Sequence, residues 1–279
     1  MAETKKSSLL ERSGRLAGWA LRLHNGILRI EDPLRLATGR LFWREKSNLV
    51  SFPIATFDRA DILVDRTIPA ILRQTHQDVE IVIVLDGSEE ACFEKVRELN
   101  DSRVRIKRLP RRTRYPSDPK NRWMVAGWRP RNIAARLSRG NWIYWISDDD
   151  VLLPDAVEKL LSHAKASGAE TVSASFQKGY LNPVISHPDS GQENFGVDFS
   201  GPPVWLVRRY IGLFRWNRYS WLNSWNRPSD YDLVSRLTRL GAKFSSIDDV
   251  LGVQPEVEGT ESTGLSGALR VTHKNASEV

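Results

Sequence analysis

An alternation of strand-like and helix-like segments limits the fold of this chain more than any other feature. Short runs that read as strands lie at 49–54, 79–85, 104–106, 141–146 and 170–176. Segments with the helical spacing of apolar residues lie between or after them, at 60–74, 88–99, 132–138, 154–166 and 229–240. Repeated strand–helix units favour an α/β fold, in which a mixed, mostly parallel sheet is flanked by helices. The functional edge of such a sheet lies at the carboxyl ends of its strands.

The segments outside this alternation indicate the domain organisation. Loops are predicted at 110–130, which is rich in Arg and Pro, and at 181–200. The last helix is predicted to have its N-cap at Ser229 or Asp230 and its stop at Gly241. We expect a basic helical extension at 1–46, a globular domain at 47–252 with halves at 47–150 and 151–252, and a flexible tail or lid at 253–279.

The single cysteine and the absence of long apolar runs bear on the cellular location of the protein. Cys92 alone cannot form an intramolecular disulfide, and the chain shows no secretory signal. No uninterrupted apolar stretch reaches the ~18 residues that suggest a membrane span. The sequence therefore predicts a cytoplasmic protein that is not integral to a membrane.

The first 46 residues carry ten Lys and Arg against five Asp and Glu. Apolar residues between 9 and 30 fall near helical spacing, so the pattern predicts an amphipathic basic helix. Docked on the domain, this helix is a packing element or a site of self-association in a homo-oligomer. Exposed, it can lie on an anionic membrane as a peripheral contact. The sequence favours packing or self-association, because most amphipathic helices face a core.

A basic strip at 103–139 borders an otherwise acidic body. Residues 101–140 contain thirteen Lys and Arg and two Asp, a net charge of +11. The total is +7 and the first 46 residues contribute +5, which leaves −9 for the remainder. Such a strip attracts the phosphates of a nucleotide or an anionic lipid, or it is a solvated surface that aids solubility. Nucleic acid is not an expected partner, because the acidic remainder would oppose a duplex.

Three consecutive aspartates, Asp148, Asp149 and Asp150, follow the apolar run 141–146, where a buried strand emerges. Adjacent carboxylates repel one another unless water or a cation relieves the repulsion, and Mg²⁺ and Mn²⁺ prefer oxygen ligands of this kind. The alternative is a solvated turn that caps the next helix. Asp58 and Asp86 follow two other predicted strands, so three carboxylate-bearing strand ends are expected at one edge of the sheet. This convergence favours a ligand site.

Five motifs, in order along the chain, resemble those of family 2 glycosyltransferases. They are 49–59 (LVSFPIATFDR) with Gln74-Thr75, 80–88 (EIVIVLDGS), Arg131-Asn132 with Gly140, 147–154 (SDDDVLLP) and 229–236 (SDYDLVSR). The resemblance covers about residues 48–250, and the ordered set is more specific than any single motif. It implies a GT-A fold, a nucleotide-sugar donor, Mn²⁺ or Mg²⁺ as the cofactor, and inversion at the anomeric carbon. It also implies that residues 47–150 bind the donor and residues 151–252 the acceptor.

The resemblance further implies roles for individual residues. Those that would contact the nucleotide are Thr56, Asp58, Arg59, Asp86, Arg131 and Asp148. Asp149 and Asp150 would hold the metal, which stabilises the charge that develops on the leaving nucleoside diphosphate. Asp230 would be the catalytic base that takes the proton of the acceptor hydroxyl, and N-capping is the alternative for this residue.

Four positions depart from the pattern of the family. Ser147 stands where many members carry the first acid of an Asp-x-Asp motif, and Leu85 stands where an Asp is common. Asp58 replaces a frequent Asn, and Ser229 a common Glu. Asp148 can compensate for Ser147, which leaves the primary metal ligand open. These departures look like variations within an active enzyme, and a catalytically weakened enzyme is the alternative.

An unusual density of aromatic residues marks 205–225. Trp and Tyr often fill cores, but their faces can also stack on sugar rings. We expect most of these residues to pack in the interior and one or two to face a ligand. Trp205 and Trp225 are the candidates for contact with the acceptor or the sugar.

The leading hypothesis is a metal-dependent inverting glycosyltransferase. It would transfer a sugar from a UDP-linked donor to a hydroxyl of a saccharide or lipid-linked acceptor, in the synthesis of a cell-surface glycan or glycolipid. One alternative is a nucleotidyltransferase acting on a sugar phosphate, although no Gly-rich basic loop follows the first strand. The other is a non-catalytic module that binds a nucleotide or a sugar.

Overall fold

The computed structural model describes residues 2–179, 184–185, 204–222 and 228–255. The strands in these ranges are β1 (Val50–Thr56), β2 (Val79–Leu85), β3 (Val104–Arg108), β4 (Trp142–Trp145), β5 (Val151–Leu152), β6 (Thr171–Lys178), β7 (Val184–Ile185), β8 (Trp205–Arg208) and β9 (Phe244–Gln254). The helices are α1 (Ala2–Phe42), α2 (Ala60–Ile62), a π-helical turn (Leu63–Thr67), α3 (Ile68–Leu72), α4 (Glu90–Arg97), α5 (Pro119–Met124), α6 (Trp128–Leu137), α7 (Ala156–Ser167), α8 (Arg209–Gly212), a 3₁₀ turn (Ser220–Leu222) and α9 (Ser229–Arg239).

The described strands form one sheet in the order β3-β2-β1-β4-β8-β6-β9-β5, with β7 paired to β6. The strands β3, β2, β1 and β4 are parallel neighbours. Strand β8 is antiparallel to both β4 and β6, and β9 is parallel to β6. Six of the nine described strands therefore run in one direction, and β5, β7 and β8 run in the other. This arrangement confirms the prediction of a mixed, mostly parallel sheet flanked by helices.

The sheet is buried on both faces, as strand β4 shows. Trp142 and Tyr144 join the core on one face, together with side chains of β1, β2 and α7. Ile143 and Trp145 join the core on the other face, together with side chains of α8 and α9. Full burial of a large apolar side chain stabilises a fold by roughly 1.5–3 kcal/mol, so the two cores fix the position of the strand ends.

The structure corrects three of the predicted elements. Helix α5 lies inside the predicted loop 110–130, where Pro119 opens it and Oδ1 of Asp118 accepts a hydrogen bond from the Asn121 amide at 2.8 Å. Strand β9 runs through residue 252, at which the globular domain was predicted to end. Helix α9 has Pro228 as its N-cap, without a capping side-chain hydrogen bond, so the prediction of a Ser229 or Asp230 cap is wrong.

Helix α1 confirms the predicted N-terminal helix and is longer than the 9–30 segment. Its C-terminal half docks on the domain, where the Arg40 guanidinium donates two 2.7 Å hydrogen bonds to the Glu170 carboxylate. The approach is close at Gly39, because a Cβ there would lie 2.4 Å from the Tyr210 ring. No helix in the described part of the chain is long and apolar enough to cross a membrane. The cytoplasmic location stays a prediction.

The surroundings of His24 predict a pH-dependent stability for the protein. Its ring lies edge-on to Tyr219 at 5.2 Å, and burial, then Arg218, Arg236 and Arg215, lower its pKa from 6.5 to about 4. Between these values the unfolded chain binds a proton that the folded chain excludes, so the free energy of unfolding falls as the pH drops from 6.5 towards 4. We expect urea unfolding to show a loss between pH 7 and pH 5 that is about 1 kcal/mol larger in the wild type than in His24→Gln. An equal loss in both proteins would contradict this assignment.

Candidate active site

The three aspartates form a turn directly after β4, and a threonine from another element holds its backbone. Oγ1 of Thr67, in the π-helical turn, lies 2.9 Å from the carbonyl oxygen of Asp148 and 3.0 Å from that of Asp150. The amide of Ser147 donates to Oδ2 of Asp150 at 3.0 Å, and Asp150 is 1% exposed. Helical turns of the π type are frequent at functional sites. These hydrogen bonds fix the turn, which is therefore not the solvated turn of the alternative interpretation.

Side chains from the ends of β1 and β4 meet at this turn. Oγ1 of Thr56 donates to Oδ2 of Asp148 at 2.6 Å. Nη1 of Arg59 lies 3.4 Å from Oδ1 of Asp148 and 3.1 Å from Oδ2 of Asp149. Four of the residues predicted from the sequence thus converge at one edge of the sheet. Arg59 supplies the charge that offsets two of the carboxylates in this structure.

The pKa values of Asp149 and Asp150 are both raised by burial and by repulsion from a neighbouring aspartate. Burial, followed by repulsion from Asp148, raises the pKa of Asp149 above its ordinary value. Burial, followed by repulsion from Asp149, raises the pKa of Asp150 to about 8. Oδ1 of Asp150 is buried without a hydrogen-bond partner. A hard divalent cation would relieve both the repulsion and the unpaired oxygen.

The number of available ligand side chains limits how such a cation would be bound. Within the residues that the structure describes, no three acidic, His or Cys side chains converge on one metal position. Mg²⁺ is usually bound by one or two carboxylates together with substrate phosphates and water. Asp149 and Asp150 fit this mode, in which the substrate completes the ligand set.

Asp86, at the end of β2, is the centre of a second polar cluster. Its Oδ1 accepts a hydrogen bond from the Thr113 amide at 3.0 Å and another from the Thr113 hydroxyl, and its Oδ2 accepts one from the Tyr115 hydroxyl at 2.5 Å. The next residue, Gly87, has φ +76°, and a Cβ there would lie 2.2 Å from the Arg112 amide nitrogen. Asp86 therefore fixes part of the basic strip beside β1. Its predicted contact with the nucleotide stays a prediction.

Asp58 shapes the loop after β1. It adopts a left-handed conformation with φ +49°, and its Oδ1 accepts a hydrogen bond from the Glu89 amide at 3.1 Å, just before α4. Its own amide donates to Oγ of Ser88 at 3.2 Å. These contacts tie the ends of β1 and β2 together. The Asp58 carboxylate therefore has a local structural role in this loop.

Arg131 is held beside an aromatic ring near the same edge. Its Nη1 donates to the carbonyl oxygen of Ala126 at 2.7 Å, and its guanidinium lies 4.8 Å from the centre of the Trp216 ring. The neighbouring Asn132 exchanges hydrogen bonds with the Trp216 backbone at 2.9 and 3.1 Å. Positive charge from Arg131 favours the ionised form of Asp150. The predicted phosphate or base contact of Arg131 is compatible with this position and is not tested by it.

Asp230 lies in the first turn of α9. The side chain is 9% exposed, and its Oδ1 accepts a hydrogen bond from the Tyr231 amide at 2.8 Å. The N-cap is Pro228 instead, so capping does not explain the carboxylate. A negative charge in this turn is favoured by the helix dipole.

Arg236, which belongs to the motif at 229–236, is a structural residue. Its Nε donates to Oδ2 of Asp232 at 2.8 Å, and its Nη1 donates to Oδ2 of Asp32 at 2.5 Å. Arg236 is 8% exposed and joins α9 to α1. The sequence motif therefore combines a candidate base with an ion-pair anchor.

Of the two aromatic candidates for contact with the acceptor or the sugar, the structure describes only Trp205. Trp205 is 3% exposed in the core beneath β4 and β8, and its Nε1 donates to Oγ1 of Thr171. This packing leaves no face for a sugar ring and corrects the expectation. Trp225 lies outside the described residues.

Thr67 supports the aspartate turn, and the sequence motifs did not reveal it. Its hydroxyl acts on backbone carbonyls more than 80 positions away, so no local pattern could identify it. We expect Thr67→Val to lower the free energy of unfolding by about 1–3 kcal/mol, because buried carbonyl oxygens lose their donor. The same variant should weaken the binding of a nucleoside diphosphate, since the aspartate turn loses its support.

Thr75→Val is the matched control for Thr67→Val. The Thr75 hydroxyl donates to Oε2 of Glu158 at the surface, so its loss should change stability by less than about 0.5 kcal/mol. Equal effects of the two substitutions in urea unfolding and in nucleotide titration would contradict the role given to Thr67.

The fold and the strand-end site together define the class of the protein. The sheet, its flanking helices and the acidic turn after β4 form a GT-A fold. Residues 51–224 match the family model described as glycosyl transferase family 2. The chain belongs to this family.

Individual relatives agree with this assignment. The chain is 33% identical over 121 residues to the succinoglycan biosynthesis protein ExoO of Rhizobium meliloti, a match that covers 43% of this chain and 31% of the relative. It is 28% identical over 111 residues to an uncharacterized glycosyltransferase of Methanocaldococcus jannaschii, covering 40% of this chain and 35% of the relative. The matched segments thus span about a third of these relatives' lengths.

Solved structures support the fold. S. aureus TarS 1–349 in complex with UDP-GlcNAc superposes with a TM-score of 0.57 at 12% identity, over 76% of this chain and 60% of that one. At this identity the likeness shows the fold alone.

Proposed function

We propose that this protein transfers a sugar from a UDP-linked donor to a hydroxyl of a saccharide or lipid-linked acceptor, with inversion and with a divalent cation as cofactor. The observation that carries the proposal is the joining of Thr56, Arg59, Asp148 and Asp149 at the carboxyl ends of β1 and β4. Ligands of α/β proteins bind at such strand ends. Membership of the family supplies the reaction class.

The chemistry follows from the charges at this edge. Asp149 and Asp150 would hold Mn²⁺ or Mg²⁺, which when bound offsets the negative charge of the diphosphate leaving group. Arg59 would turn from the carboxylates to the phosphates of a bound donor, because a guanidinium forms charge-assisted hydrogen bonds with either anion. Arg131 adds a second cation at the same edge. The protein thus stabilises charge where it develops in the transition state.

Asp230 is proposed as the general base. A hydroxyl is a poor nucleophile, and a carboxylate that accepts its proton during displacement makes the attack easier. Attack on the face opposite the leaving diphosphate inverts the anomeric carbon. The acceptor oxygen gains the bond to carbon, the nucleoside diphosphate leaves with its electron pair, and Asp230 takes the proton.

The choice of donor and acceptor class draws on the relatives. TarS has been solved with UDP-GlcNAc, which motivates a UDP-sugar donor. ExoO is named for succinoglycan biosynthesis, which motivates a cell-surface polysaccharide as the product.

The test is a screen of UDP- and GDP-sugars for release of the nucleoside diphosphate, with Mn²⁺ and with a chelator. We expect release from a UDP-sugar that needs the metal and that Asp149→Asn lowers by at least about 100-fold. Asp248→Asn, an exposed surface change, should leave the rate unchanged. Release that is indifferent to the chelator and to Asp149→Asn would contradict the metal role. A wild type that binds a donor and releases nothing would favour the non-catalytic module.

A further inference from the structure

Helix α1 carries an apolar stripe that the domain does not cover. In the described part of the chain, the large apolar side chains that are exposed all lie on α1: Trp19, Leu23, Ile27, Ile30, Leu34, Leu41 and Phe42. Ile30 is 74% exposed and Leu34 is 62% exposed. Elsewhere in the described residues, large apolar side chains are buried or partly buried, so this surface differs from the rest of the described molecule. Contiguous exposed apolar patches mark interaction sites.

The stripe has the repeat of a coiled-coil seam. Successive steps of four and three residues separate its central members, which are Leu23, Ile27, Ile30, Leu34, Ala37 and Leu41. In the sequence, Leu16 and Leu9 continue the repeat at intervals of seven. An average step of 3.5 residues keeps one narrow seam facing a partner helix, whereas a helix on a lipid surface needs a broader apolar face with a period of 3.6. The spacing therefore favours a helical partner over a lipid surface.

The stripe points away from the domain. The side of α1 that docks on the domain contains Leu28, Asp32, Leu36 and Gly39, which are buried. With Leu23 and Ile30 at d positions of the heptad, Asp32 and Gly39 occupy f positions, which are farthest from the seam. A second helix can lie along the seam without displacing the Asp32–Arg236 or Arg40–Glu170 contacts.

The size and the charge of the stripe fit a partner with the same surface. Covering its seven large side chains would bury on the order of 800 Å² per protomer, which is the share of each partner in an interface of standard size. The seam itself carries no charged residue. Glu31 and Asp32 turn to the domain, where they pair with Arg215 and Arg236. No charge along the seam would oppose its own copy.

We propose that α1 pairs with α1 of a second copy of this chain through the stripe, so that a two-helix seam holds two domains on its outer sides. The proposal goes beyond the transfer reaction and does not depend on it. It selects self-association from the alternatives that the amphipathic N-terminal segment allows.

Sedimentation equilibrium of the full chain tests the proposal. We expect the wild type to be a dimer at about 10 µM and to remain one in 0.5 M NaCl, because an apolar seam is insensitive to screening. Ile30→Gln combined with Leu34→Gln should weaken the dimer by at least about 100-fold, since four buried side chains per dimer are lost. Both side chains are exposed in the protomer, so the fold should be retained, as near-UV circular dichroism would show.

Arg29→Gln is the matched control, because Arg29 is exposed on α1 and lies off the seam. It should leave the dimer unchanged. A second pair, Leu23→Gln with Ile27→Gln, should repeat the effect of the first pair. A wild type that is monomeric at about 100 µM would overturn the proposal. A second result would also overturn it: a monomeric wild type that co-sediments with phosphatidylglycerol vesicles and loses this binding both in 0.5 M NaCl and in the Arg29→Gln variant. The stripe would then bind a lipid surface.

Discussion

Asp230→Asn is expected to lower the rate of sugar transfer by about 10²- to 10⁴-fold while leaving the affinity for the nucleotide donor unchanged. The amide has nearly the shape of the carboxylate but cannot accept a proton from the acceptor hydroxyl. Its oxygen can still accept the hydrogen bond that Oδ1 of Asp230 receives from the Tyr231 amide at 2.8 Å. The substitution therefore removes the proposed chemistry and keeps the local structure.

Two measurements separate these roles of Asp230. The rate of transfer is measured as the release of the nucleoside diphosphate at a saturating donor concentration. The affinity for the donor is measured by calorimetry. Asp230→Ala, which also loses the acceptor of the Tyr231 amide, should add a loss of stability of about 1 kcal/mol without a further loss of rate. Wild-type turnover in Asp230→Asn would exclude this carboxylate as the base.

Arg236→Met is expected to lower the free energy of unfolding by about 3–5 kcal/mol, the largest effect on stability that we predict. The substitution removes the buried guanidinium that pairs with the carboxylates of Asp32 and Asp232. Burial already raises the pKa of Asp32, and Arg236 opposes that rise. Urea unfolding at pH 7 measures the loss.

A second change distinguishes an uncompensated charge from lost packing. Adding Asp32→Asn to Arg236→Met also removes the buried negative charge of Asp32. The double variant should therefore recover part of the stability that the single variant loses. Arg239→Gln, on the exposed side of α9, should change stability by less than about 0.5 kcal/mol. A double variant no more stable than Arg236→Met would assign the loss to packing.

The parts of the fold that the sequence predicts well are those with one strong local cause. Strand β2 has the predicted bounds because six of its seven residues are apolar and all seven are buried. Strand β9 was missed because only two of its eleven residues are fully buried and it contains Asp248, Asp249 and Gly252. Its place beside β6 depends on pairing across the sheet, with register shifts after Ala174 and Ser175. No local pattern encodes such pairing.

The candidate site also has parts that the sequence could predict and parts that it could not. The meeting of Thr56, Arg59 and Asp148 could be predicted, because parallel neighbouring strands bring their carboxyl ends to one edge. The support from Thr67 could not, because a side chain that bonds to distant carbonyls leaves no sequence signal. Trp205 is buried in the core of a sheet that is covered on both faces, and residue type alone does not reveal such burial.

The most direct test of the central claim is a calorimetric titration of UDP into the protein, with and without Mn²⁺, repeated on Asp149→Ala. The claim is that the turn at 148–150 binds a nucleoside diphosphate together with a metal. We predict binding of UDP that requires Mn²⁺ and that Asp149→Ala abolishes. UDP binding of equal affinity with and without Mn²⁺, or unchanged in Asp149→Ala, would contradict the claim.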